Sequence, residues 1–176
     1  MKTKNAAGYD LLLGGLFIAL ALVFPMIFHA VGLGSSFLPM FFPIAAAGFL
    51  LTLPSAAAVG MLSPLVSALL TGMPPFYPPI AFVMIAEGLV LGALPAILYQ
   101  KLKLNAWLVM TLTMAADRLV LLASVVLLSR LLELPKGVLT AAALLKGVPG
   151  TIAIILVIPP LVKKMEAKIR FARTIE

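Results

Sequence analysis

Long apolar runs, each bounded by clusters of Gly, Pro and Ser, make up most of this chain, and four ionisable residues lie inside them: Glu87, Asp117, Arg118 and Lys146. A run of about 20 apolar residues matches the thickness of bilayer hydrocarbon as a helix. Inside hydrocarbon every backbone polar group has to be satisfied within the protein, which leaves helices or closed barrels. A charge at that depth costs at least ~3 kcal/mol, so each of the four residues requires a partner, a wet cavity or a task. Two are acidic and two basic, so the set can neutralise itself. The expectation is an all-α, polytopic membrane protein with a polar interior.

Composition agrees. Charged residues are 11% of the chain and hydrophobic ones 63%, against about 25% charged in soluble domains; mean hydropathy is +1.19. The 176 residues suffice for one bundle of about six helices, a single transmembrane domain with no space for a built-in ATPase. The net charge of +7 is concentrated at the termini and in one short loop, which favours anionic lipid over nucleic acid as its partner. Cysteine is absent, so disulfides and thiolate chemistry are excluded. The first apolar run exceeds a signal-peptide core and lacks a clear small-residue cleavage site, and is expected to remain as the first span.

Breakers divide the sequence into expected spans at about 9–31, 37–53, 54–71, 80–100, 104–132 and 138–162. Pro54 suits a first helical position. Met73-Pro74-Pro75-Phe76-Tyr77-Pro78-Pro79 is a stiff loop carrying two aromatic rings. Lys2, Lys4, Lys101, Lys103, Lys163, Lys164, Lys168, Arg170 and Arg173 fall on one side, and only Arg130 and Lys136, beside Glu133, on the other. Basic loops stay inside, so both termini are expected in the cytoplasm and the protein in the plasma membrane.

Several residues are candidates for function. Glu87 is expected near mid-membrane on the fourth span, and Asp117 and Arg118 near the middle of the fifth. Adjacent helical residues diverge by about 100°, so one of these two is expected to face a cavity and the other to pair with a neighbouring helix. A buried structural ion pair such as Glu87–Arg118 is the plain alternative. Lys146 precedes the Pro149-Gly150 break, which frees backbone carbonyls. His29 ends the first span beside Gly32, Gly34, Ser35 and Ser36, which supply hydroxyls and open amides. Phe76 and Tyr77 either stack on a flat ring or anchor the interface. Gly15–Ala19, Ala56–Gly60 and Gly88–Gly92 are small-xxx-small pairs that permit close helix approach. Packing within the bundle is the plain reading, above all for Gly88–Gly92, whereas the patch on the first span can instead dock another membrane subunit. No Walker loop, His-Glu-x-x-His, Gly-x-Ser-x-Gly or cysteine-histidine cluster occurs. No catalytic residue and no metal site are therefore expected.

The chain resembles the S components, the substrate-binding membrane subunits, of energy-coupling factor (ECF) vitamin transporters. The resemblance rests on the short spans, the basic ends, the small-residue patch on the first span and particular strings. These are His29-Ala30-Val31-Gly32, Gly34-Ser35-Ser36-Phe37-Leu38-Pro39-Met40, Leu69-Leu70-Thr71-Gly72-Met73-Pro74-Pro75, Met84-x-x-Glu87 and Gly147-Val148-Pro149-Gly150. They are similar to the subgroup tied to cobalamin metabolism, which takes up corrinoids, α-ribazole or benzimidazole. Phe41 departs from that pattern, since some similar sequences carry histidine after Leu-Pro-Met.

The resemblance implies a six-helix bundle of the ECF S-component type that binds a vitamin-like molecule in its outer half. The implied site is His29, Ser35, Ser36, Phe37, Phe76, Tyr77, Met84, Glu87, Arg118 and Lys146. It further implies docking through Gly15 and Ala19 onto a transmembrane coupling (T) subunit driven by two cytoplasmic ATPases. ATP is then used by those partners, and this chain needs no cofactor of its own. Two other classes fit the residues: an ion- or proton-coupled secondary transporter using Glu87 or Asp117 as a relay, and a membrane scaffold subunit without a ligand.

Overall fold

A computed structural model describes residues 2–77, 79–131 and 146–175, all of them helix, turn or loop. The elements are α1 (Lys2–Ala30), α2 (Gly34–Phe37), α3 (Phe41–Leu50), α4 (Leu53–Thr71), α5 (Ile80–Pro95) with a π-helical extension over Ala96–Lys101, α6 (Ala106–Leu131) and α7 (Val148–Ile175). The expected loop at Glu133–Lys136 and residues 138–145 of the last expected span lie outside the described residues.

Among the described residues, five helices are long and apolar enough to cross a membrane: Gly8–Ala30, Leu53–Thr71, Ile80–Lys101, Ala106–Leu128 and Val148–Glu166. The run at 37–53 behaves differently from expectation. It contains a helix of only 10 residues, α3, about 15 Å long at 1.5 Å per residue and half of a ~30 Å hydrocarbon core. The chain reaches α3 through the single turn of α2 and a left-handed Leu38 (φ 52°), a conformation uncommon for a side chain with a Cγ. Nearly all of α3 is buried, from Phe41 to Phe49, so it forms the axis of the bundle.

Helix α5 is the scaffold on which the others rest. It runs antiparallel to α4, and the two small-residue pairs meet face to face. A Cβ added at Gly60 would strike the Gly88 carbonyl, one at Gly88 the Gly60 carbonyl, and one at Gly92 the Ala56 carbonyl. Without a hydrophobic drive between helices in lipid, such backbone contact is what dispersion can exploit. On another face of α5, a Cβ at Gly48 of α3 would lie 2.7 Å from the Leu91 carbonyl oxygen and 2.8 Å from that of Gly92. Pro95 lacks the N–H that would otherwise bond the Leu91 carbonyl. The freed oxygen is directed at the Gly48 Cα instead, a weak C–H···O contact.

The inner corner between α3 and α4 is tied from two sides. Gln100 Nε2 donates toward the carbonyls of Gly48, Phe49 and Leu51, at 3.1, 3.2 and 2.6 Å, satisfying acceptors that every helix C-terminus leaves open. Asp10 of α1 accepts from the Thr52 N–H at 3.1 Å and from its hydroxyl. Tyr99 donates to Glu166 of α7 at 2.9 Å at the same end. The beginning of α1, the 101–105 loop and the later part of α7 therefore share one end of the bundle.

A methyl group at Gly88 would force α4 and α5 apart. The expected outcome for Gly88→Ala is a loss of about 1–3 kcal/mol, read as a lowered unfolding midpoint in detergent. Gly15→Ala, where an added Cβ meets nothing within 4 Å, is expected to leave the midpoint unchanged.

Candidate binding site and intramembrane charge cluster

At the end of the bundle opposite the Gln100 corner lies a pocket of about 560 Å³, within the range of small-molecule sites. It exists because α3 is short. Above the first turn of α3, in the half of the bundle that a full-length helix would fill, the chain instead passes through Leu38, Pro39 and Met40, which with Phe41 form one wall. The opposite wall is the last two turns of α1, from Leu22 through Pro25 and Met26 to His29. Ser67 and Thr71 of α4, Met73 to Pro75 of the proline loop, and Ile80 and Met84 of α5 complete it.

The surface of this pocket is apolar and rich in methionine, with Met26, Met40, Met73 and Met84 all exposed to it. Thioether side chains adapt their shape and pack well against aromatic rings. Its two hydroxyls are already engaged. Ser67 donates to the Met73 carbonyl at 2.6 Å, and Thr71 donates to the Ser67 carbonyl at 2.8 Å while its oxygen accepts the Met73 N–H at 3.2 Å. These bonds hold the proline loop against the end of α4. Among the described residues, His29 is the one ionisable side chain in the lining. Its ring lies flat on Gly34, where an added Cβ would sit 2.5 Å from Nδ1, so glycine is needed for the imidazole to reach the rim.

Of the residues expected to bind a ligand, His29 and Met84 line the pocket. The others are placed around it. Ser36 and Phe37 lie on α2, with the Phe37 ring 6.1 Å from Phe28; Ser35 belongs to the same turn. Phe76 is edge-on to Phe82 at 5.9 Å, both exposed, and Tyr77 is 79% exposed. That geometry suits rings at the membrane interface. Lys146 is exposed, immediately before Gly147.

Glu87 and Arg118 meet behind the pocket, not in it. Arg118 folds back along its own helix, so that Nε and Nη2 both donate to Asp117 Oδ2, at 3.0 and 2.6 Å. Nη2 is also 3.8 Å from Glu87 Oε1. The expectation that adjacent residues must diverge is corrected: the Cα vectors do diverge, but the arginine stem is long enough to return its guanidinium to the neighbouring carboxylate. Asp117 is fully buried and Glu87 nearly so; Asp117 Oδ1 has no hydrogen-bond partner. Arg118 Nη1 borders Gly147, where a Cβ would be 2.9 Å away, and the same position touches Leu38 of the pocket wall. The cluster and the pocket are therefore neighbours through one layer of chain.

Leu38-Pro39-Met40 and Met73-Pro74-Pro75 are distinctive strings in the sequence, yet only the tertiary fold turns them inward. Ser67 and Thr71, four apart on one helix face, were a legible signal. The small-residue pair Gly15 and Ala19 is exposed on the outside of α1, beside Leu11, Leu12 and Leu16. Among the described residues no group of His, Asp and Glu is arranged to hold a metal ion. Comparison with family models, with curated proteins and with solved structures finds no match.

Among the described residues, Arg118 is the only cation paired with two buried carboxyl groups. Removing one member of a buried ion set costs about 3–5 kcal/mol; Arg118→Leu is expected to lose that much in a denaturant titration in mixed micelles, whereas Lys146→Leu is expected to be near neutral.

Proposed function

We propose that this chain is the substrate-binding S component of an ATP-driven, ECF-type vitamin importer. The observation that carries the reading is the pocket of about 560 Å³ at the end of the bundle away from the basic residues of the chain ends. On the positive-inside rule that end faces outward. In this reading residues 34–51 make a broken sixth traverse, the protein lies in the plasma membrane, and both termini are cytoplasmic.

The lining favours a flat, largely uncharged guest. Dispersion against methionine and proline holds the body, and His29 supplies the one free polar contact, the usual plan of an apolar pocket with few placed polar groups. Among cobalamin-related compounds, benzimidazole or its riboside suits that volume better than a whole corrinoid. Glu87 and Arg118 then act at one remove, by fixing the wall at Gly147 and Leu38, while Phe76 and Tyr77 sit at the mouth. The chain presents no nucleotide-binding motif, so energy comes from two cytoplasmic ATPases through a coupling subunit. The bare Gly15–Ala19 face of α1 suits close docking on such a partner.

A second reading, a proton-coupled carrier working alone, draws support from the unpartnered Asp117 Oδ1. One experiment separates the two. Mild purification from the native membrane, with mass spectrometry of retained small molecules and co-eluting proteins, is expected to yield a heteroaromatic compound, a membrane partner and two ATPases. Solute uptake by liposomes containing this chain alone would instead establish the carrier.

Two variants test the assignments. Met84→Trp fills the pocket and is expected to abolish retention of the compound; His29→Ala is expected to weaken it about tenfold, or ~1.4 kcal/mol, by equilibrium dialysis. Gly15→Leu is expected to retain binding and lose co-elution with the partners.

A further inference from the structure

The three intramembrane charges do not balance. Glu87 and Asp117 face one guanidinium, and among the described residues Arg118 makes the only ion pairs. Both carboxyl groups lie within 3.8 Å of the same nitrogen, Arg118 Nη2. With both ionised, the cluster would hold one uncompensated negative charge inside the bundle, where water cannot screen it.

Among the described residues no other element supplies the missing positive charge. Helices α2, α3 and α4 contain no ionisable residue. On α1, Asp10 is engaged with Thr52 at the far end and His29 lies at the pocket rim. On α6 the next cation is Arg130, about three turns beyond Arg118. On α7 the charges begin at Lys163, toward the Tyr99–Glu166 end. Lys146 is exposed.

The second observation is geometric. Arg118 spends Nε and Nη2 on a single oxygen, Asp117 Oδ2. The other oxygen, Oδ1, belongs to a fully buried side chain and has no partner. An ionised carboxylate would leave a charged acceptor bare there, whereas a carboxylic acid carries a hydrogen at one of its oxygens. Two carboxyl groups that share one cation disfavour each other's ionised form, since the cation neutralises only one of them.

We propose that Glu87 and Asp117 together hold one exchangeable proton against Arg118, so that a proton-binding site lies directly behind the outer pocket. The Arg118 side chain, 21% exposed, is the member of the cluster that reaches its surface, and both acids are buried behind it. The site adjoins the pocket in two places. Met84 lines the pocket one helical turn from Glu87 on the same face of α5, and Gly147 touches both Arg118 Nη1 and Leu38. The inference stands whether or not the pocket serves import.

Infrared difference spectroscopy of the full chain in lipid vesicles, in water and in deuterium oxide, tests it. At neutral pH the wild type is expected to show a carbonyl-stretch band of a protonated carboxyl that shifts on deuteration. Glu87→Gln and Asp117→Asn are each expected to abolish it, because the surviving carboxylate then pairs alone with Arg118. Arg118→Gln is expected to raise its amplitude about twofold, since neither acid then has a cation. If Asp117→Asn does not fold, Glu87→Gln and Arg118→Gln decide the matter. Absence of the band in the wild type, or its persistence in Glu87→Gln, overturns the proposal. A wild-type unfolding midpoint that falls when sodium is replaced by choline also overturns it, by placing a metal ion where the proton is assigned.

Discussion

Direct contact between the backbones of α4 and α5, at Gly60 against Gly88 and Ala56 against Gly92, sets the position of the other elements. Lipid offers no hydrophobic reward for bringing helices together, so the gain comes from dispersion between closely apposed surfaces. Any side chain larger than hydrogen at the two glycines would separate the axes. With α4 and α5 joined, the next face of α5 is left for Gly48, and α3 is seated through the Leu91 carbonyl that Pro95 sets free. Glu87 is the residue before Gly88, so the same seam delivers a carboxyl group to the bundle interior. Met84, one turn farther out, reaches the pocket.

The short α3 has two consequences. Its C-terminal end requires external capping, which Gln100 provides, while Asp10 accepts from Thr52 at the adjoining start of α4. Its other end leaves half a helix length of space, bounded by α1, the proline loop and α5. The space persists because the proline loop is bonded to the end of α4 through Ser67 and Thr71, not free to fill it. Polar bonds thus maintain an apolar cavity, an economical arrangement where each unsatisfied backbone group would be costly.

Charge and cavity are kept apart by a single layer of chain. The described pocket wall is apolar apart from two engaged hydroxyls and one imidazole, while the carboxyl groups and the guanidinium are turned toward one another behind Gly147 and Leu38. The cluster, whose members are all on α5 and α6, joins those two helices where both acids are buried and a lone charge would be costly.

The membrane character of the helices, their all-α fold class and the need for the buried acids to find a cation follow from the amino-acid sequence, because hydrocarbon length and backbone satisfaction are constraints that local composition already meets or fails. The small-residue pairs at Ala56–Gly60 and Gly88–Gly92 were likewise visible as packing surfaces. Which surfaces meet was not, since spacing marks a smooth face without naming its partner. The run at 37–53 is as apolar as a spanning helix, and its division into one turn and a short buried helix depends on the left-handed Leu38 and on the place α5 offers Gly48. The pocket lining was hidden for the same reason: its residues come from five separate elements. Arg118 turning back to Asp117 depends on a flexible four-bond stem responding to the surrounding helices, a choice made only when the bundle closes around it.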